Sequence, residues 1–277
     1  MIEIGKYNKL WIERELSFGL ILSDGQGNEV LLPAKWIPPL GPDTQHLNVF
    51  VYLDHEHRPI ATTMKPKVLR DQFAYLRVKA ATEHGAFLDW GLEKDLFVPF
   101  REQEVEMEEG KSYVVYLYLD AQSKRLVGSA RMKRFLQKEG IVLEPGEEVD
   151  LLVFDRTEIG MRVIVDDKYL GMIYFNEIFR PVKRGDRLKG FVKQVRPDGL
   201  VDVRLSAEGL ANLEPAAEKI LEVLRKSGGF IALTDDSSPD EIRWELQMSK
   251  KTFKRAVGIL YKERRIRIEP DGIHSTE

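Results

Sequence analysis

Hydrophobic and polar positions alternate with a period of two through the first three quarters of the chain, and this pattern predicts β-strands. Runs rich in Val, Ile, Tyr and Phe alternate with other residues and are bounded by Asp, Gly and Pro. The sequence "RPDG" at 196–199 predicts a hairpin turn, because its glycine takes the positive φ that the turn needs. The greater part of the chain is therefore expected to be β-structure.

The strand pattern also repeats. "GLILSDGQGNEVLLP" (19–33) and "GAFLDWGLEKDLFVP" (85–99) both run from glycine to a proline 14 positions on, at an offset of 66 residues. The same offset superposes Asp54 on Asp120, which we interpret as turn formers. A third and weaker copy begins at Gly160. Units of this length with five short strands favour small closed barrels, since closure removes exposed strand edges.

From about residue 214 the hydrophobic period becomes that of a helix. Ile220, Leu221 and Leu224 share one helical face, and a Gly-Gly pair follows. Ser238 is expected to cap a short second helix and Ser249 a third. "RIRIEPDGI" then predicts a hairpin. This order of elements is that of a winged helix.

Composition narrows the function classes. The chain has 277 residues, no cysteine and a formal net charge of −3, which excludes disulfides, thiolate metal sites and a uniformly basic surface. The charged N-terminus does not resemble a signal peptide, and no apolar run is long enough for a membrane helix. We therefore expect a protein without a membrane partner, whose basic residues form local patches.

One stretch of the second copy, "HGAFLDWGLEKDLFVPFRE", resembles the core of the S1 RNA-binding domain, an OB-fold barrel. Gly85-Ala86-Phe87 match that family directly, His84 stands at its usual first aromatic, and Pro99 replaces its usual histidine. The resemblance is weaker in the first copy and weakest in the third. It implies that single-stranded RNA stacks on exposed aromatic or guanidinium groups.

Together with "MSKKTFKRAVGILYK" near the C-terminus, the order of domains resembles the CvfB (conserved virulence factor B) family over essentially the whole chain. The resemblance implies a mainly β fold, with three tandem OB-fold five-stranded barrels followed by an α+β winged-helix domain. It also implies cytoplasmic RNA binding and an influence on bacterial gene expression. The expected domains are 1–65, 66–138, 139–212 and 213–277.

Candidate stacking residues follow from the repeat alignment and the S1 resemblance. Trp90, Leu88 and Val98 are expected in the core, and Phe97 fits either the core or the surface. An aromatic residue in a small barrel usually belongs to the core, so Phe87 could lie there instead, and Phe100 could serve only to cap a barrel end. The candidates are Phe18, His84, Phe87, Phe100, Arg162, Tyr174 and Phe175.

Two basic runs are candidate phosphate contacts. In 180–196 seven basic residues accompany one acid, and in 249–268 eight accompany one. Either run could instead be a solvated face, and the second could also bind a protein. Arg131, in the second copy, is a further candidate outside these runs. The candidates within the runs are Arg180, Lys183, Arg184, Arg187, Lys189, Lys193, Arg196, Lys250, Lys251, Lys254, Arg255, Arg264, Arg265 and Arg267.

Catalytic motifs are not found in the sequence. It has no phosphate-binding loop with lysine and serine and no zinc spacing, and a turn explains His55 and His57 better than a metal does. We therefore expect a non-catalytic protein without cofactor or metal that binds single-stranded RNA as a post-transcriptional regulator. A DNA-binding transcription regulator acting through the winged helix, or an accessory subunit of a ribonuclease, remains an alternative.

Overall fold

The computed structural model describes residues 1–178, 180–205 and 213–276, the first three residues of the last range by their backbone alone. The predicted end of the third barrel domain and the start of its connection to the next, 206–212, lie outside the described residues. The chain divides into two compact units, Met1–Leu136 and Gln137–Glu277.

Three sets of five strands form the greater part of the molecule. Barrel 1 contains β1 (Lys6–Leu16), β2 (Gly19–Ser23), β3 (Glu29–Pro33), β4 (His46–Leu53) and β5 (Pro59–Thr62). Barrel 2 contains β6 (Phe73–Thr82), β7 (Gly85–Asp89), β8 (Leu96–Pro99), β9 (Ser112–Leu119) and β10 (Leu126–Ser129). Barrel 3 contains β11 (Glu148–Arg156), β12 (Gly160–Val165), β13 (Tyr169–Tyr174), β14 (Arg187–Val195) and β15 (Val201–Arg204).

The three barrels share one strand order. Barrels 1 and 3 are closed, in the orders β1-β2-β3-β5-β4 and β11-β12-β13-β15-β14. Barrel 2 has the same cyclic order but is hydrogen-bonded as an open sheet, β10-β9-β6-β7-β8, with its seam between β8 and β10. A Cβ on Gly128 of β10 would come within 2.8 Å of the Val98 side chain of β8, so the two strands pack closely at the seam. The predicted fold class is confirmed, with barrel 2 nearly closed.

The spacing of 14 residues has a structural cause. Gly19 pairs with Pro33, Gly85 with Pro99, and Gly160 with Tyr174, each where the second strand of a barrel begins and the third ends. A Cβ on the glycine would lie 2.2 to 2.4 Å from a carbonyl oxygen of the third strand in each barrel. Glycine is therefore required because the neighbouring backbone occupies the space of a side chain.

Barrels 1 and 2 share a hydrophobic core. Phe50 and Tyr52 of barrel 1 belong to the same buried cluster as the core of barrel 2. The Trp90 ring lies 5.8 Å from the ring of Phe50 and 6.3 Å from that of Tyr52. Leu88, Trp90 and Val98 are buried, as predicted. The first two barrels therefore form one packed body.

The C-terminal region has the predicted winged-helix order. Its helices are α1 (Leu213–Lys226), α2 (Pro239–Leu246) and α3 (Lys250–Lys262), and its strands are β16 (Phe230–Ile231), β17 (Ile266–Glu269) and β18 (Gly272–Ser275). Ser238 and Glu241 form a capping box on α2, and the Ser249 side chain accepts a hydrogen bond from the Thr252 amide of α3. Both caps are confirmed. Strand β16, which pairs with β18, is an addition to the sequence prediction.

Candidate nucleic-acid interface

A cavity of about 320 Å³ lies where barrel 1 meets barrel 2. Barrel 1 supplies Tyr52 and Leu53 from the end of β4 and His55 and His57 from the β4–β5 turn, and barrel 2 supplies the other wall from β7, β8, the loop between them and the start of β10. This volume is near the lower end of the range for small-ligand pockets, about 300–1,000 Å³. The cavity can therefore hold one flat group such as a base.

An aromatic pair forms one wall of this cavity. Phe87 on β7 and Phe97 on β8 lie directly opposite each other in the sheet, with ring centroids 5.1 Å apart. Both rings are half-buried, and the exposed His84 lines the same cavity. The structure thus brings His84 and Phe87 together and assigns Phe97, which the sequence left open, to the surface side of the barrel.

Cationic groups lie at the edge of the cavity. Arg125 is exposed and forms no ion pair with any residue that the structure describes. Lys94 is partly buried, and its Nζ donates hydrogen bonds to the main-chain oxygens of Asp54, at 2.7 Å, and Leu53, at 3.3 Å. Burial, together with the nearby Arg125, lowers the pKa of Lys94. A positive edge beside an apolar wall suits a base with its phosphate.

The other predicted residues of barrels 1 and 2 lie apart from the cavity lining. Phe18 and Phe100 are exposed at 59% and 44% of their surface, so both are accessible for stacking. Arg131 is exposed next to a short 3-10 helix, Met132–Arg134. Asp54 and Asp120 accept hydrogen bonds from amides of their own hairpins, which confirms them as turn formers.

In barrel 3 an arginine lies against each of the two predicted stacking aromatics, Tyr174 and Phe175. The guanidinium of Arg196 lies 5.7 Å from the Tyr174 ring and hydrogen-bonds its hydroxyl, and that of Arg156 lies 5.1 Å from the Phe175 ring. Arg162 lies 5.4 Å from the ring of Phe154. These groups are arranged as cation–π pairs within the barrel instead of as open aromatic faces.

Asp186 is the one acid within the basic run 180–196, but it is not the only acid that opposes this run in the described structure. The fold brings acids from other strands to it, because antiparallel pairing of β11 with β14 sets Asp150 opposite Lys189. The side chains of Arg180 and Lys183 form no ion pair among the residues that the structure describes. The ion pairs are Arg184–Asp155 at 2.9 Å, Lys189–Asp150 at 2.9 Å, Lys193–Glu177 at 2.9 Å and Arg196–Asp202 at 2.9 Å; Arg162 also pairs with Asp155.

The basic residues of the winged helix are partly neutralised as well. Lys254 lies 3.3 Å from Asp235, Arg265 lies 3.2 Å from Glu218, and Arg267 lies 3.6 Å from Glu269. Of the predicted phosphate contacts in this domain, Lys251, Arg255 and Arg264 are exposed and have no ion pair among the described residues, and Lys250 is half-buried at the start of α3. Trp244 of α2, which sequence reasoning did not select, is 88% exposed.

One group of three possible metal ligands occurs among the described residues, in the wing. Carboxylate oxygens of Glu269 and Asp271 and a ring nitrogen of His274 lie within 4.8 Å of one another. The ring nitrogen of His274 is 3.0 Å from Asp271, and this hydrogen bond lowers the pKa of the Asp271 carboxyl. The hydrogen bond is sufficient to explain the arrangement.

None of the described helices is both long and apolar enough to span a membrane.

Comparison with known proteins agrees with this architecture. Residues 4–64 and 72–131 match the S1 domain, and residues 218–274 match the CvfB-like winged helix domain. The resemblance to the CvfB family is confirmed. The S1 and winged-helix domains are nucleic-acid-binding types of domain and not catalytic ones.

Related proteins match along most of this CvfB-like chain. Protein YitL of Bacillus subtilis is 28% identical over 276 residues, which cover 95% of this chain and 90% of YitL. Conserved virulence factor B of Staphylococcus epidermidis is 22% identical over 84% of this chain and 80% of its own. A crystal structure of a multidomain protein with nucleic acid binding domains from Streptococcus pneumoniae is 24% identical, covers 98% of both chains and has a TM-score of 0.42.

Proposed function

We propose that this CvfB-like protein binds single-stranded RNA in the bacterial cytoplasm and regulates gene expression after transcription, without cleaving the RNA. The observation that supports this function is the Phe87–Phe97 pair, half-exposed at a cavity whose edge carries Lys94 and Arg125. The similarity to proteins named Conserved virulence factor B supports a regulatory role.

The proposed contact has two physical parts. A base that stacks on an aromatic ring gains about 1–3 kcal/mol, and this gain requires an unpaired base because paired bases are already stacked in a duplex. Release of counterions from the RNA phosphates adds affinity that falls as the salt concentration rises. Stacking therefore selects single strands, and the cations at the edge of the cavity add affinity without base preference.

Fluorescence anisotropy with the full chain tests the proposal. A labelled single-stranded RNA and a duplex DNA of the same length are titrated in parallel, in buffer containing a chelator of divalent metals. We expect tighter binding of the RNA, unchanged by the chelator, and intact RNA on a denaturing gel afterwards. Equal or tighter binding of the duplex, or cleavage that a point variant abolishes, would contradict the proposal.

A second candidate function is DNA binding through the winged helix. Lys251 and Arg255 are exposed on α3, the helix that enters the major groove in helix-turn-helix relatives of this fold. The same titration separates the two functions. If duplex DNA binds more tightly, and if replacing both Lys251 and Arg255 with alanine removes that binding, the winged helix is the main nucleic-acid-binding domain.

A further inference from the structure

Histidines converge on the cavity between barrels 1 and 2. Of the five histidines in the chain, His55, His57 and His84 line it, and all three are exposed. Histidine is the side chain that ordinarily changes charge between about pH 5 and pH 8. Among these three, His57 lies in the charge environment of the cations Arg125 and Lys94 at the cavity edge.

The two histidines of barrel 1 are carried by a hairpin that is fixed in place. The Asp54 carboxylate accepts hydrogen bonds from the amides of Glu56, at 2.8 Å, and Arg58, at 2.9 Å, which closes the turn. Lys94 of barrel 2 donates to the main-chain oxygen of Asp54 at 2.7 Å and so attaches the hairpin to the second barrel. The imidazoles are therefore presented to the aromatic wall in advance of any ligand.

The groups around His57 disfavour its charged form in the free protein. Burial comes first, followed by the neighbouring Arg125 and Lys94, and together they lower the pKa of His57 although Asp54 acts in the opposite direction. The other charges on the hairpin, Glu56 and Arg58, pair with each other at 2.9 Å. An anion placed beside His57 would reverse this balance, because it would offset the two cations.

Asp95, Glu83 and Glu93 are further acids near the cavity, and Glu93 forms an ion pair with Lys35 at 2.6 Å. Asp95 lies 2.7 Å from Lys79 and is neutralised by it, whereas Glu83 lies 3.7 Å from His84. Since Glu83 already faces His84, that histidine is less available to an anion than His57 is. The arrangement therefore assigns the anion to the side of the cavity formed by His57 and Arg125.

We propose that the cavity is a composite nucleotide site, in which one RNA base lies against Phe87 and Phe97 of barrel 2 while its adjacent phosphate contacts Arg125 and the protonated His57 of barrel 1. This inference rests on the proposed function and adds a second domain to the site. Binding then takes up a proton, so the affinity for RNA rises as the pH falls through the titration range of His57.

Binding of a short fluorescein-labelled oligouridylate to the full chain, measured at about pH 8 and about pH 6, tests the inference. We expect binding to be about fivefold to tenfold tighter at the lower pH, as one linked proton allows. His57→Asn should abolish most of that gain. Asparagine is chosen because His57 has a φ of +65°, a conformation that asparagine tolerates well.

His46→Gln is the matched control. His46 is an exposed histidine of barrel 1 that contacts Trp11, at 5.6 Å between ring centroids, and does not line the cavity. Its replacement should leave the pH dependence intact. A pH dependence that is retained in His57→Asn, or lost in His46→Gln, would overturn the composite site while leaving RNA binding itself in place.

A direct titration provides a second readout that does not depend on a variant. The His57 ring of the wild-type protein is followed by NMR across the same pH range, with and without the oligouridylate. An increase in its pKa on binding supports the inference, and an unchanged pKa overturns it. If the wild-type protein binds no single-stranded RNA at either pH, the proposed function fails as well.

Discussion

Barrels 2 and 3 have different side chains at one pair of residues that face each other across the second and third strands at the same register. Phe87 and Phe97 face each other in barrel 2, and Arg162 and Met172 occupy the same register in barrel 3. The phenylalanine rings line a cavity, whereas Arg162 pairs with Asp155 and Met172 is 7% exposed. The backbone register is retained while the side chains at this pair change from an open aromatic face to a closed ionic one.

The cations near the two faces differ in the same way. Arg125 in barrel 2 forms no ion pair within the described part of the chain, whereas Lys189 in barrel 3 lies 2.9 Å from Asp150. A paired cation must lose its acid, or share it, before it can neutralise a phosphate. The sequence predicts phosphate contacts in the basic run of barrel 3, but the ion pairing favours the edge of the barrel 2 cavity.

The aromatic pair is expected to give the largest effect on binding. Phe87→Ala and Phe97→Ala should each weaken binding of single-stranded RNA by about 1–3 kcal/mol, the value of one stacked base. Anisotropy gives the affinity, and thermal unfolding verifies that the fold is retained.

Ile21→Ala is the matched control, since Ile21 pairs with Leu31 at the same register of barrel 1 and is also half-buried. It removes a similar contact without removing an aromatic ring. Equal losses of affinity in all three variants would show that barrel stability, and not stacking, governs binding.

The second prediction compares a glutamate of barrel 2 with a glutamate of barrel 3 by the free energy of unfolding. The expected change is similar to, or smaller than, the change in binding free energy expected for the aromatic pair. Glu102 is 4% exposed and accepts two hydrogen bonds from Arg134 Nη1, at 3.0 and 2.9 Å. Glu102 ends a short 3-10 helix, Phe100–Glu102, that follows β8. Its counterpart in barrel 3 is Glu177, which ends the 3-10 helix Phe175–Glu177 after β13 and forms an ion pair with Lys193. At neutral pH, Glu102→Gln should lower the free energy of unfolding by about 1–3 kcal/mol and Glu177→Gln by no more than about 1 kcal/mol.

The pH dependence of this difference follows from Glu102. Burial opposes ionisation, but hydrogen bonds from Ser129, Arg134 and Tyr118 prevail and lower the pKa of Glu102 below its ordinary 4.5. Burial and the adjacent Glu102 carboxylate raise the pKa of Tyr118 to about 12. The stabilisation from Glu102 is thus present above about pH 4.5 and is lost as the pH falls through its folded-state pKa. Urea unfolding at neutral and acidic pH should show the two variants converging; a constant gap would contradict the assignment.

The smallest expected effect concerns salt. Arg125→Ala should reduce the slope of log affinity against log salt concentration by about 0.7, the value for one phosphate contact to a single strand. Lys189→Ala should leave the slope nearly unchanged, because Asp150 already neutralises that lysine. If Lys189→Ala flattens the slope and Arg125→Ala does not, the phosphate contacts belong to barrel 3.

Strand pairing and helix caps could be predicted from the sequence because their determinants are local. Gly19 pairs with Pro33, which lies 14 positions later, and this spacing encodes the register of β2 with β3. Ser238 caps α2 by accepting a hydrogen bond from the amide of Glu241, three residues later. In both cases the physical contact and the sequence pattern have the same short range.

The cavity and the ion pairs of barrel 3 could not be predicted, since they depend on contacts between distant segments. His57, Phe87 and Arg125 meet only because barrel 1 packs against barrel 2, and no periodicity records that packing. Likewise, Asp150 reaches Lys189 through the pairing of β11 with β14. A count of charges along the chain cannot include an acid that a sheet brings from another strand.

The position of Trp90 has a consequence for how the chain unfolds. Its indole contacts aromatic rings from barrel 1, so separating the two barrels would expose large apolar surfaces on both. Barrels 1 and 2 should therefore melt in a single calorimetric transition, even though each resembles a self-sufficient repeat in the sequence. For this pair of repeats we expect the cooperative unit to be the doublet, so that removing or exchanging either copy alone should destabilise the other.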